Sequence, residues 1–363
     1  GSTSSGTSTE KEKKDITTVV VKSVTGAAGT RKEILRDVPS CQMPGAELII
    51  QNRNGQLQQP MIEGDIVWET TRSGAASSLT FTVVKDDTLN FHEGNPVSFR
   101  FNGANVFYGY VFKKSRSDNR LIKVTAYDQL RYFKNKDTYV YSNKKASDVI
   151  KMIAEDFGLS VGTLEDTGYV IGSRTEDNTT LLDIAQNALD ETLRAKTKLY
   201  VLYDKVGKLT LQDIESMKLN LLIDADTIGE DPHSSTIDKQ TYNQIKITFE
   251  NKDSGKREIF IAKDSSNINK WGLLQYTDTV ELSASGAAKA EALLKLYNTK
   301  TRSLSISDAL GDTRVRAGSS VIVKLGLGDI NVQSYLLVES VTHKFKQEQH
   351  LMDLKLRGGT FVT

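Results

Sequence analysis

The sequence predicts a mainly β fold with an α+β insert, and three regional patterns lead to this prediction. Residues 47–127 contain short alternating segments separated by turn signals, which is typical of β-strands. Residues 136–215 instead carry apolar residues at helical spacing. Strand patterns return after residue 235. A chain of 363 residues is long enough for two or three domains with cores of their own.

The composition excludes several classes of protein. The 47 basic and 46 acidic residues nearly cancel, so no overall field indicates a nucleic acid or an anionic membrane as partner. The single cysteine, Cys41, excludes an intramolecular disulfide framework and a structural zinc cluster. No apolar run approaches the ~20 residues that span a bilayer, and no signal-peptide pattern is present. We therefore expect a soluble protein without an export signal.

The chain is expected to begin with an N-terminal arm, residues 1–42, that is partly flexible. The arm opens on the low-complexity stretch "GSTSSGTST" and contains one β-like run at residues 16–24. Residues 43–135 follow as the first β domain. Its six short candidate strands are separated by turn signals such as Asn54-Gly55 and Asn102-Gly103, a spacing that favours a small barrel or a sandwich.

The last strand of this domain is followed at once by a short helix. From Leu121 to Asp128 apolar and polar residues alternate, which predicts a half-buried strand. The alternation then stops, and Asp128 is expected to cap a helical turn that puts Leu130 and Phe133 on one side.

Residues 136–215 predict an α/β module in the order strand, helix, helix and a closing hairpin. Asn178 or Thr179 is expected to start the second helix. Residues 216–234 form a predicted polar connector. Residues 235–363 form the second β domain, which one helix at about 285–299 interrupts.

The two β regions resemble each other in three segments that occur in the same order. A duplicated β unit has a physical consequence, because three such chains around an axis present six similar units. Such an object could sit between a six-fold partner and a three-fold one. The paired segments are residues 66–86 with 245–264, 93–103 with 317–328, and 106–127 with 335–357, the last of which aligns Ile122, Val124 and Ala126 with Met352, Leu354 and Leu356.

Four segments of the chain resemble one known family. They are "GYVFKKSRSDNRLIKVTAYDQLRYFKNKDTYVYSNKKASDVIKMIAEDFGL", "KWGLLQYTDTV", "VRAGSSVIVKL" and "YLLVESVTHKF". They are similar to the XkdQ/YqbQ-type hub proteins of Gram-positive contractile tails, which occur in myophages, PBSX-like defective prophages and R-type bacteriocins. The resemblance covers residues 45–360, and its most specific block is 107–158.

The resemblance implies a structural protein, a trimeric baseplate hub with two tube-like β-barrel domains per chain. These domains would form a pseudo-hexameric ring under the six-fold tail tube and above the trimeric central spike. The implied partners also include LysM-containing and wedge proteins of the baseplate and a tape measure protein. The implied location is the baseplate of a virion or bacteriocin particle, assembled in the cytoplasm of the bacterial host.

No catalytic, metal-binding or cofactor-binding residue is predicted. His92 lacks a second histidine at zinc-helix spacing, and Pro96 prevents such a helix. His343 and His350 lie on facing strands of one predicted hairpin, but no partner at ligand spacing accompanies them. Residues 224–233 resemble a calcium loop yet lack a carboxylate at the fifth position and a glutamate at the twelfth, so a polar connector is favoured.

Two binding functions are alternatives to the structural one. The basic residues Lys113, Lys114, Arg116 and Arg120 lack interleaved aromatic residues, so a solvated hairpin tip is favoured over specific nucleic-acid binding. The alternative function is a tail-associated protein that binds or degrades the cell wall, since the order of the α/β module resembles LysM units. No spare domain of ~100 residues is left for an enzyme, and fold alone does not give function.

The positions that matter are therefore predicted to be packing positions. Each large one is expected to contribute ~1.5–3 kcal/mol on burial. The predicted structural core comprises Ile122, Val124, Ala126, Val321, Val323, Leu354 and Leu356.

Overall fold

The computed structural model describes residues 19–21, 42–72, 76–116, 118, 120–224, 233–327 and 330–358. Cys41 and most of the predicted N-terminal arm lie outside these residues. The arm's β-like run is represented by the strand β1, Val19–Val21. The described part of the chain is mainly β, as predicted.

The first β unit, which we define as strands β2 to β8, forms a continuous antiparallel array. Its order is β3-β2-β6-β7-β8-β5-β4, and β1 pairs with β3 at one end. Alternate residues of β5 and β8 point inward, as period-two patterning requires. The strands are β2 (Ala46–Gln51), β3 (Leu57–Gln59), β4 (Ile62–Thr71), β5 (Ser78–Val84), β6 (Pro96–Phe101), β7 (Ala104–Arg116) and β8 (Leu121–Tyr127).

The short helix after β8 is present as a 3-10 turn at Gln129–Lys134. The side chain of Asp128 accepts a hydrogen bond from the Leu130 backbone N–H at 3.0 Å, which confirms the predicted cap. Leu130 and Phe133 are buried, and both pack in the core of the α/β module rather than in the β unit. The turn therefore fastens the first β unit to the module.

The α/β module is more elaborate than predicted. Strands β10 and β11 lie between its helices, so the predicted strand–helix–helix–strand order is wrong. The second helix is capped by Thr180, whose hydroxyl accepts from the Asp183 N–H at 3.1 Å, one residue after the expected start. The elements are β9 (Lys136–Lys145), α1 (Ala146–Asp156), β10 (Val161–Leu164), β11 (Val170–Thr180), α2 (Leu181–Lys196), β12 (Tyr200–Lys205) and β13 (Lys208–Asp213).

The second β unit begins inside the region predicted as a connector, because a strand there pairs in parallel with a strand of the unit. We define the unit by six strands. They are β14 (Lys218–Asp224), β15 (His233–Thr236), β19 (Thr301–Leu310), β20 (Ser320–Leu327), β21 (Ile330–Phe345) and β22 (His350–Gly358).

A separate side layer is inserted between β15 and β19. Its three-stranded sheet packs against the helix that the sequence predicted at about 285–299. The layer contains β16 (Gln244–Glu250), β17 (Arg257–Lys263), α3 (Ser265–Trp271), β18 (Gln275–Thr279) and α4 (Gly286–Tyr297).

The two β units are joined edge to edge. Strand β4 pairs antiparallel with the second half of β21, so both units belong to one 14-stranded sheet. Phe345 at the end of β21 packs in the core of the first unit. Within the described residues this sheet runs from β1 to β15 without closing on itself, and the barrel closure of each unit stays a prediction.

Candidate assembly site: the repeated hairpins and the junction of the β units

Two backbone hydrogen bonds recur in the β6–β7 hairpin of the first unit and the β20–β21 hairpin of the second. Gly94 donates to the Val111 carbonyl at 2.7 Å, and Val111 donates back to the Asn95 carbonyl at 2.9 Å. In the second unit the Gly318 N–H donates to Val338 O at 2.9 Å, and the Val338 N–H donates to the carbonyl of the residue after Gly318 at 2.8 Å. Both glycines have φ near +90°, a conformation that favours glycine.

The equivalence extends to the next hairpins, β7–β8 and β21–β22, each of which contains a bulge. In β7 the residue Phe112 has no partner opposite, because Val111 faces Ala126 and Lys113 faces Thr125. In β21 the unpaired residue is Glu339, between Val338 opposite Leu356 and Ser340 opposite Lys355. The aligned residues Ile122, Val124 and Ala126 thus occupy the same places in β8 as Met352, Leu354 and Leu356 in β22, and the bulge lies at matching positions of β7 and β21.

The predicted pairing of residues 66–86 with 245–264 is wrong. Residues 66–86 form β4 and β5 in the large sheet, whereas residues 245–264 form β16 and β17 in the side layer. The true counterparts of β4 and β5 are β15 and β19, since β19 pairs with β22 as β5 pairs with β8. Two hairpins around a Ser-Gly turn look alike because hairpin signals are local, and they do not specify which sheet a hairpin joins.

The predicted core positions fall in two separate clusters of buried side chains. Ile122, Val124 and Ala126 pack in the first unit, opposite Val83, Phe81 and Leu79 on β5. Leu354 and Leu356 occupy the same places in the second unit, opposite Ile306 and Leu304 on β19. The remaining two, Val321 and Val323, are fully buried in that second cluster.

The junction of the units is held by side chains as well as by backbone pairing. The Arg72 guanidinium donates to both carboxylate oxygens of Glu339, at 3.0 and 3.1 Å, and the Arg72 N–H donates to the Glu339 carbonyl at 2.9 Å. The Thr70 hydroxyl accepts from the Ala317 N–H at 2.8 Å and is buried. Two-bond arginine–carboxylate contacts fix orientation as well as distance, so this junction is geometrically defined.

Buried charged groups from all three parts of the chain lie close together. Asp128, at the end of the first unit, accepts from the Ser77 N–H at 3.2 Å and from the Ser77 hydroxyl. Arg316, in the second unit, lies 4.0 Å over the Tyr203 ring of the module and donates to the Asp204 carbonyl oxygen at 3.3 Å. Sequence reasoning missed this cluster, because Arg316 and Asp204 are 112 residues apart and no local pattern connects them.

Burial governs the ionisation of this cluster. Burial, with the nearby Asp204 carboxylate, raises the pKa of Asp128 to about 7. Burial also raises the pKa of Asp204, which Arg316 and a backbone hydrogen bond from Gly207 partly offset. The cluster therefore changes charge near neutral pH.

His343 and His350 are in contact, as their predicted positions on facing strands indicated. His343 Nδ1 lies 2.8 Å from His350 Nε2, and His343 Nε2 lies 2.7 Å from the Val315 carbonyl oxygen. A carbonyl can only accept, so His343 Nε2 carries the proton and His350 Nε2 donates to His343 Nδ1. The Trp68 ring stacks on the His343 ring, with their centroids 4.6 Å apart.

Both histidines are held neutral. Burial lowers the pKa of His343 to about 3 and that of His350 to about 4. Within the described ranges no group of three or more His, Cys, Asp or Glu side chains could hold a metal ion. The predicted histidine pair is thus a packed element of the β21–β22 hairpin next to the unit junction.

The other residues that the sequence singled out are scattered. His92 is exposed in the turn before β6. Arg116 and Arg120 are exposed at the hairpin tip, while Lys114 donates to the Phe91 carbonyl at 2.7 Å. Most of the calcium-loop-like stretch, including Asp226 and Gly229, lies outside the described residues. No helix among the described residues is long and apolar enough to cross a membrane.

An open groove of about 750 Å³ lies beside β10 and β13 of the module. Among the described residues that line this groove the one aromatic is Tyr203, which is buried and donates its hydroxyl hydrogen to Gln212 at 2.7 Å. A sugar-binding groove would be expected to offer exposed aromatic faces. The described lining of the groove offers no such face.

The YQBQ-like family model matches residues 66–357, which is most of the chain. The chain belongs to this family. Uncharacterized protein YqbQ of Bacillus subtilis is 29% identical over 303 residues, which cover 81% of this chain and 91% of that protein. The phage-like element PBSX protein XkdQ of the same organism is 29% identical over 304 residues, covering 81% and 92%.

Solved structures share the fold of this YQBQ-like chain. A 43 kDa tail protein of prophage MuSo2 from Shewanella oneidensis superposes with a TM-score of 0.61 at 13% identity, covering 86% of this chain and 98% of that one. A tail protein from Neisseria meningitidis MC58 gives 0.61 at 12% identity, covering 86% and 97%. At such low identity the likeness establishes the fold alone.

Proposed function

We propose that this chain is the structural hub of the baseplate of a contractile phage tail or tail-like particle. Its membership of the YQBQ-like family supports this, because the relative XkdQ is a protein of a phage-like element. The fold shared with two tail proteins, one of them from a prophage, agrees with the same class of particle.

The observation that carries the proposal is that the hairpins of β6, β7 and β8 have counterparts in those of β20, β21 and β22, in two β units that are joined edge to edge. The glycine–valine hydrogen bonds recur at Gly94 and Gly318, and the bulge recurs at Phe112 and Glu339. Three chains then offer six similar units around a three-fold axis. The assembly adapts a six-fold tail tube ring on one side to a trimeric central spike on the other.

In this assembly the two β units act as tube-like barrel domains and line a pseudo-hexameric ring. The α/β module lies on the periphery and meets LysM-containing and wedge proteins, and the tape measure protein contacts the ring. The role is structural and not enzymatic. The particle, a virion or an R-type bacteriocin, is assembled in the cytoplasm of the bacterial host.

The test is to count and locate the chain in particles from a bacterium that encodes it. Quantitative mass spectrometry with isotope-labelled peptides should give three copies of the chain per particle, at half the number of tube subunits in one ring. Electron microscopy should show that deletion of the gene prevents tail assembly. Intact tails without the chain, together with its retention on purified peptidoglycan in a pull-down, would instead support the wall-binding alternative.

A further inference from the structure

The strand that joins the units has a counterpart at the far end of the sheet. Trp68 of β4 faces Leu79 of β5, and His233 of β15 faces Leu304 of β19 in the same register. Since β5 and β19 are equivalent in the repeat, β15 is the β4 of the second unit. It is the last strand in the sheet order, and no described strand pairs with its outer edge.

The edge that receives β4 also has a counterpart. Strand β4 pairs with β21 from Ser340 to Phe345, directly after the bulge at Glu339. The equivalent edge of the first unit follows the bulge at Phe112 and comprises residues 113–116 of β7. Strands β6 and β8 are the described partners of β7, and β6 ends its pairing at Tyr110. The outer edge of 113–116 is therefore open within the described part of the chain.

We propose that β15 of one copy pairs antiparallel with this β7 edge of a second copy, repeating the β4–β21 pairing between chains. The inference rests on the proposed hub function and specifies how its copies join. The equivalence fixes the register, with Thr236 opposite Lys113, Ser235 opposite Lys114, Ser234 opposite Ser115 and His233 opposite Arg116.

The side-chain chemistry at both edges suits this pairing. Thr70 of β4 accepts the Ala317 N–H through its hydroxyl, and the corresponding residues of the second pairing are Ser235 and Glu93. The hydroxyl acceptor is thus retained. Ser115, Ser234 and Ser235 are all exposed, so both edges are accessible to another molecule.

A second copy is the occupant because each chain carries both halves of the contact. An open strand edge is a template for another strand, and here the donor β15 and the acceptor β7 lie at different places on one molecule. A head-to-tail contact of this kind produces a closed ring when the rotation per step closes. With one such contact per neighbour, three chains supply three inter-chain and three intra-chain junctions.

Disulfide trapping tests the register directly. The Arg72–Glu339 backbone bond makes that pair a hydrogen-bonded one, so by alternation Glu69–Thr342 is a non-hydrogen-bonded pair, and so is its counterpart Ser234–Ser115. Such pairs have Cα atoms about 4.5 Å apart, within the range for a disulfide. In a Cys41→Ser background, the variant Ser115→Cys/Ser234→Cys should yield covalent dimers and trimers on a non-reducing gel.

Two matched variants control the geometry. Ser115→Cys/Ser235→Cys moves one cysteine to the other face of β15 and should give no covalent oligomer. Glu69→Cys/Thr342→Cys should form the equivalent bond within one chain and stay monomeric on the gel.

Light scattering of the same samples separates this inference from the hub proposal. A three-chain mass without cross-linked dimers or trimers, or equal cross-linking in the Ser235→Cys control, would overturn the strand pairing and leave the hub intact. A single-chain mass with and without the spike protein would overturn both.

Discussion

Arg72 and Glu339 connect the two β units by a two-bond ion pair whose partners are 267 residues apart in the chain. Both side chains are partly buried, with 15% and 28% of their surfaces exposed. The pair lies where β4 meets the bulge of β21, so the same residue, Glu339, breaks the hairpin ladder and fixes the neighbouring unit. The bulge is therefore part of the junction and not a defect.

Glu339→Ala is expected to lower the free energy of unfolding by about 1–3 kcal/mol, because it leaves the partly buried Arg72 without its carboxylate. Chemical denaturation followed by circular dichroism would measure this. Glu250→Ala is the matched control, since its ion pair with Arg257 is well exposed, and it should change stability by no more than about 0.5 kcal/mol. Equal losses in both variants would contradict the junction's role.

Leu354→Asp is expected to abolish the soluble trimer, because it puts an unpaired charge in the core of the second unit, where Leu354 is 1% exposed. Leu354→Ala should cost about 2–5 kcal/mol through the cavity it leaves. The neighbouring Lys355 is exposed, so Lys355→Asp is the control and should stay soluble. A Leu354→Asp trimer of normal stability, measured by gel filtration and thermal unfolding, would refute the packing assignment.

The histidine pair predicts acid sensitivity. The folded pKa values of about 3 and 4 are below the unfolded value of 6.5. The contribution of the two neutral histidines to the stability of the fold is therefore complete above pH 6.5 and is lost as the pH falls below it. Protonation of His343 can change the free energy of unfolding by at most about 1.4 kcal/mol per pH unit. The difference in unfolding free energy between wild type and His343→Gln should thus shrink between pH 6.5 and 4.

His92→Gln is the control for this pH dependence, because His92 is exposed. A constant difference for His343→Gln would show that the pair does not resist protonation in the fold.

Asp128 predicts the opposite dependence. Its folded pKa of about 7 is above the ordinary 3.8, so its stabilising contribution is present below pH 3.8 and is lost as pH rises towards 7. Asp128→Asn keeps an oxygen acceptor for the Leu130 N–H but cannot ionise. Relative to wild type, the free energy of unfolding of the variant should rise by up to about 1.4 kcal/mol per pH unit from pH 4 to 7 and stay constant above pH 7. A pH-independent difference in denaturation experiments would contradict the raised pKa.

Local sequence patterns predicted much of the fold. The alternation of β8, the cap at Asp128 and the helix near 285–299 are signals confined to a few residues, and each matches an observed element. The two C-terminal segment pairs of the repeat were also visible in the sequence, because inward positions and the turn glycines at 94 and 318 keep their spacing.

Contacts between distant segments were not predictable in this way. Strand β15 contains only four residues, "HSST", and carries no apolar alternation, so its equivalence to β4 appears only in the sheet order. The joining of β4 to β21 and the approach of Arg316 to Asp204 depend on how the units pack. The histidine contact was foreseen because one hairpin contains both residues.

The mass of the purified chain in solution tests the central claim most directly. Static light scattering should be recorded for the chain alone and after addition of the trimeric spike protein. The account predicts a particle of three chains, each of 40.2 kDa, alone or in complex with the spike. A single chain of 40.2 kDa under both conditions would contradict it, and the repeat would then be a duplication without a ring.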